Sequence, residues 1–99
     1  MDNYKKIYDV QKRAISVYNA EKIFKSSSEY VGILTTMNVN AQEELMNIIE
    51  ETFNREDYIY GLHLNGNPYA PIFEGVLISK KPELINLAKL FIGNKYTNI

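Results

Sequence analysis

The chain has no cysteine, no tryptophan and a single histidine, His63. Without cysteine there is no disulfide, no thiolate nucleophile and no thiolate-held metal. One histidine alone does not make the usual ligand set of a transition metal. It also leaves the serines near position 27 without an evident partner base. The five glycines are scattered, so no phosphate-cradling loop forms. No apolar run approaches the ~20 residues that cross a bilayer. Met1-Asp2-Asn3-Tyr4-Lys5-Lys6 is not followed by the apolar stretch of a leader. These absences predict a cytoplasmic, non-enzymatic protein with no cofactor, no metal and no membrane segment.

What is present fits one domain, residues 1–99, of ordinary hydrophobic content (45%). The net charge of −1 hides an asymmetry. Residues 1–30 carry +2, residues 31–57 carry −5 and residues 58–99 carry +2. The acid is Glu43, Glu44, Glu50, Glu51, Glu56 and Asp57, opposed in that stretch by Arg55 alone.

Periodicity divides the chain into elements. Tyr4, Ile7, Tyr8, Gln11, Ala14, Ile15 and Tyr18 recur at three-and-four spacing and predict a helix over 3–24, with Asp2 as cap and its tyrosines in the core. Whether it breaks near Asn19 is left open. Val10, Val17 and Phe24 form a second apolar row, which predicts a partner on a second side and hence a homodimer. Ser26 and Glu29 have capping-box spacing and favour a short helix through Met37, while the β-branched Val31-Gly32-Ile33-Leu34-Thr35-Thr36 favours a strand. The helix is the reading adopted, with the strand open beside it. Asn40 and Glu43 cap a further helix to Asn54, with Leu45, Met46, Ile48, Ile49 and Phe53 inward and the glutamates outward. From Tyr58 the period is two, and Asn65-Gly66-Asn67-Pro68 marks a hairpin returning through Tyr69, Ile72 and Phe73 to Ile78. Pro71 and Gly75 predict a bulge or a late start to its pairing. Ser79 and Pro82 open a last helix that Gly93 stops, leaving 94–99 as a loose tail.

A capped helix running directly into a long ribbon, through Phe53-Asn54-Arg55-Glu56-Asp57-Tyr58-Ile59-Tyr60-Gly61 and on to Val76-Leu77-Ile78-Ser79-Lys80-Lys81, resembles the winged helix-turn-helix family. It resembles most the small winged-helix proteins of phages and prophages. The resemblance implies an α+β fold, with helices packed on a two- or three-stranded antiparallel sheet. It also implies a DNA-reading surface of Gln42, Asn47, Asn54 and the wing tip Asn65, Gly66 and Asn67.

The charges oppose that activity, because DNA affinity is built mainly from cations on phosphate. Two functions follow. The first is a protein-binding module, of the kind a phage or mobile element uses as an accessory or inhibitor. It would occlude a basic partner surface with Glu43, Glu44, Asn47, Glu50 and Glu51, assisted by Tyr58, Tyr60 and Tyr69 on the hairpin. The second is a dimeric DNA-binding regulator reaching phosphate through Lys5, Lys6, Lys12, Arg13, Lys80 and Lys81. A carboxylate-only magnesium site on the glutamates is weaker, since glutamate runs on helices are ordinarily solvated faces.

Overall fold

Ile72–Ser79 (β3) is β-branched and apolar on both faces, as a strand covered on both sides must be. It lies inside a four-stranded antiparallel sheet of order β2-β3-β1-β4, where β1 is Val31–Asn38, β2 is Tyr58–Asn65 and β4 is Tyr96–Asn98. The computed structural model describes residues 2–67 and 69–99, and of residues 2 and 3 the backbone alone. The cap expected of Asp2 and the loop role expected of Pro68 lie outside what is described. Both β1 and β2 pair antiparallel to β3, so they run parallel to each other on either side of it. From Val31 the order of elements is β-α-β-β-α-β, the split arrangement of ferredoxin-like domains.

The α+β class is therefore as expected, but the sheet has four strands rather than two or three. Three local expectations fail. Residues 31–38 form a strand, not a helix. Every residue of β1 has a partner on β3, from Val31 opposite Ser79 to Asn38 opposite Ile72, and that pairing decides what the local signals left balanced. No helix-turn-helix pair therefore precedes the hairpin. The tail is not loose, since Tyr96–Asn98 pairs with Ile33–Thr35 of β1. The first helix is two helices, α1 (Asp2–Gln11) and α2 (Val17–Lys25).

The break between them has a clear cause. Ile15 donates its N–H to the Tyr60 carbonyl at 2.8 Å and accepts from the Leu62 N–H at 2.9 Å, joining the β2 edge. Ser16 then caps α2 by accepting from the Asn19 N–H at 3.1 Å. As a result α1 lies on one face of the sheet and α2 on the other.

The larger core lies between the sheet and α1, α3 (Val39–Thr52) and α4 (Pro82–Ile92). Phe73, Ile33, Leu45, Met46, Ile49, Leu77 and Leu84 are fully buried there. Each such side chain contributes about 1.5–3 kcal/mol by leaving water. The smaller core joins Ala20, Val76 and Ile78 to Val17, Ile23, Phe24 and Tyr30 under α2. Val10 thus belongs to one core and Val17 and Phe24 to the other. The break thus divides the second apolar row between the two cores of one chain.

Helix α3 starts two residues earlier than expected, with Asn38 as cap accepting from the Ala41 N–H at 2.9 Å. The hairpin is as expected in its strands, and its pairing begins late, at Asn65 opposite Ile72. Gly66 takes φ +85°, the left-handed region a turn glycine supplies. Gly93, at φ +68°, ends α4 as expected.

Candidate partner-binding face

Helix α3 turns Val39, Gln42, Leu45, Met46 and Ile49 inward. Its polar side carries Asn40, Glu43, Glu44, Asn47, Glu50 and Glu51, with Glu43 half-buried and the others exposed. Helix α1 lies along one flank of that side. Lys6 Nζ donates to Asn40 Oδ1 at 2.9 Å, and Arg13 Nη1 donates to Asn47 Oδ1 at 2.9 Å and to Glu50 Oε2 at 3.3 Å. Lys6–Asn40 and Arg13–Asn47 share an offset of 34 residues, so the two segments run side by side in the same direction. Arg13 also donates through Nη2 to Asp9 Oδ2 at 2.6 Å, which holds the Asp9 carboxyl below its ordinary range.

This arrangement sorts the glutamates. Glu50 is paired with Arg13, while Glu43, Glu44 and Glu51 make no ion pair among the described residues. Glu44 and Glu51 are two turns apart on one side of α3, a strip of uncompensated negative charge.

The tyrosines expected beside them are divided. Tyr58 and Tyr60 are buried, at 4% and 3% exposure, with ring centroids 5.7 Å apart in an edge-to-face pair. They belong to the core because β2 turns residues 58, 60 and 62 toward α1 and α3, so they offer no contact surface. Tyr69 is exposed on the hairpin loop. Tyr4, Tyr8 and Tyr18, expected in the core, are instead exposed at 62%, 69% and 69%. Ile7 and Val10 take the inward positions of α1, one step round the helix from the tyrosines.

The residues proposed for DNA are brought together less well. Gln42 is wholly buried and reads nothing, and its side-chain amide has no hydrogen-bond partner among the described residues. Asn54 is exposed. Asn65 Oδ1 accepts from the Gly66 N–H at 3.0 Å, and Asn67 Oδ1 accepts from the Tyr69 and Ala70 N–H groups at 2.9 and 3.1 Å, so both amides hold the loop itself. Lys6 and Arg13 are engaged on α3, and Lys12 pairs with Asp9 at 3.3 Å. Lys80 pairs with Glu29 at 3.6 Å and Lys81 with Asp57 at 3.2 Å. Lys80 and Lys81 also follow the far end of β3 from the loop, roughly 23 Å away at the rise of a strand. Lys5 is exposed.

No cluster of three or more histidine and acidic side chains able to hold a metal occurs among the described residues. No described helix is long and apolar enough to cross a membrane. Sequence reasoning missed the α1–α3 contact, although one signal was present: Lys6 and Arg13, seven apart, flank Ile7 and Val10 on one side of a helix. Compared with protein-family models, with curated proteins and with solved structures, the chain matches none.

Proposed function

We propose that the protein is a small non-enzymatic binding module that docks on a basic protein surface through the solvent side of α3. Glu44 and Glu51 are the principal contacts, with Glu43, Asn47 and Glu50 at the margin. Its effect is occlusion, since carboxylates laid on a cationic surface exclude the phosphate that would otherwise bind there. One observation carries this reading. Lys6 and Arg13, the cations that reach α3 from the α1 side, are engaged within the molecule, while Glu44 and Glu51 make no ion pair among the described residues. The test is affinity capture from the native host with wild type and with Glu44→Gln/Glu51→Gln. A partner that is retained by wild type, released by salt and lost by the variant supports the reading. Retention of every partner by the variant removes it.

The alternative is a dimeric winged-helix regulator of DNA. It draws support from the helix that leads directly into the hairpin, α3 into β2 and β3. It must recruit Lys5 and release Lys6, Lys12, Arg13, Lys80 and Lys81 from their present partners. Duplex binding that falls steeply as salt rises would favour it, and no mobility shift at low salt would end it.

A further inference from the structure

We propose, building on the docking reading of α3, that α1 is a tethered occupant of a helix-binding groove. The partner it stands in for is an amphipathic helix with two cations seven residues apart around an apolar pair. The resident segment, α1 with the turn that ends it, displays that pattern. Lys6 and Arg13 reach Asn40, Asn47 and Glu50 at 2.9, 2.9 and 3.3 Å, while Ile7 and Val10 enter the core at 7% and 0% exposure. Cationic rim contacts around an apolar ridge are the grammar of a helix laid in a groove.

Three features make α1 an occupant rather than a fixed part of the frame. It packs on α3 along one flank, and its outer side leaves Tyr4 and Tyr8 in solvent. Its rim contacts are two side-chain hydrogen bonds and one solvent-exposed ion pair, Arg13–Glu50, a weak class of restraint. It ends at a point pinned independently of it, since Ile15 is bonded to the β2 edge and Ser16 caps α2. The segment before Ile15 can therefore swing away while α2 and the sheet keep their places.

The fit is also incomplete. The Tyr60 hydroxyl sits in the same core as Ile7 and Val10, buried and without a hydrogen-bond partner among the described residues. A foreign helix that brought a polar group to that depth would gain a bond the resident helix forgoes. The tether supplies α1 at an effective concentration on the order of millimolar, which sets the level a partner must exceed.

The probe is a fluorescent peptide of residues 2–14, titrated by anisotropy into the full chain as wild type and as Lys6→Ala/Arg13→Ala. The peptide carries the two cations that the variant lacks. Loosening the resident helix should raise the open fraction, and the apparent affinity for the peptide with it, by roughly tenfold. In wild type, hydrogen exchange should show the α1 amides opening well before those of β1 and β3. Equal peptide affinity for the two proteins, or α1 protection equal to that of the central strands, overturns the proposal. A variant that becomes a dimer by light scattering also overturns it, because the groove would then take a second copy of the chain. A firmly closed α1 leaves Glu44 and Glu51 exposed as before, so this failure is distinct from failure of the docking reading.

Discussion

The two faces of the sheet are covered by different means. Under α1, α3 and α4 the contact is made with volume, in Phe73, Leu45, Met46, Ile49, Leu77 and Leu84. Under α2 it is made with smallness. Ala20 meets Gly61 so closely that a Cβ placed on Gly61 would lie 2.6 Å from the Ala20 Cβ and 3.0 Å from the Ser16 carbonyl. The first face gains from every methylene it buries, and the second depends on atoms that are absent. The larger core also carries the polar defects of the fold, Gln42 and the Tyr60 hydroxyl, both buried without partners. It has enough apolar area to tolerate them. The close-packed face has no such reserve.

The largest effect expected from breaking this contrast is on the large core. Phe73→Ala should lose about 3–5 kcal/mol, the transfer term plus the cavity left behind. Chemical denaturation should show a lower midpoint for the whole molecule, because Phe73 lies on the strand that both cores share. Gly61→Ala should lose about 1–3 kcal/mol by overpacking, with its damage concentrated on α2. Hydrogen exchange would show early opening of α2 with α3 still protected. Gly61→Ala/Ala20→Gly should recover part of the loss, since it removes the closest contact, at the Ala20 Cβ, and leaves the one with the Ser16 carbonyl. Additive losses in that double variant would mean the face is not limited by close approach.

The elements differ in how far they can be read from local signals, and the reasons are physical. Helix α3, the hairpin and α4 carry theirs nearby: the Asn38–Asn40 region with its glutamates, Asn65-Gly66 between alternating strands, and Pro82 and Gly93 at either end of one apolar stripe. Strand β1 has equal local claims to helix and strand, and the balance is tipped by β3, about forty residues further on. The split between α1 and α2 is likewise nonlocal, because Ile15 leaves the helix for backbone partners at Tyr60 and Leu62. The acidic side of α3 was legible from spacing, but its sorting into paired Glu50 and free Glu44 and Glu51 was not, because that depends on where Arg13 comes to rest. Alternation in β2 separated Tyr58 and Tyr60 from Ile59 correctly. It could not say that both sides are covered, so it could not show that those tyrosines are interior.

The polar defects of the large core sharpen the contrast from the stabilising side. Gln42→Met keeps the length of the side chain and removes an amide whose Nε2 and Oε1 have no partners. It should raise stability by about 1–3 kcal/mol, the cost of burying an unsatisfied amide. At the scale of a domain this size that is a rise of several degrees in Tm. An unchanged or lower Tm would show that the amide is satisfied in solution, and the large core would then have no reserve to contrast with the small one.

Tyr60 gives the smallest effect at neutral pH and the most specific one outside it. Burial pushes its hydroxyl above the ordinary tyrosine value of 10.0, so the folded state holds the proton more tightly than the unfolded chain does. The sign follows from linkage. The neutral phenol's contribution is complete below pH 10 and is lost as pH rises beyond it, because the unfolded chain then ionises and the folded one resists. Tyr60→Phe removes the proton and the unpartnered oxygen together. It should leave neutral stability unchanged or raise it by up to about 1 kcal/mol, and it should flatten the decline in stability between pH 10 and 11.5. Tyr69→Phe, altered at a tyrosine 90% exposed, should leave that decline as it is. If the two variants decline alike, the Tyr60 hydroxyl is reaching solvent, and the core beneath α1 and α3 opens more readily than its packing implies.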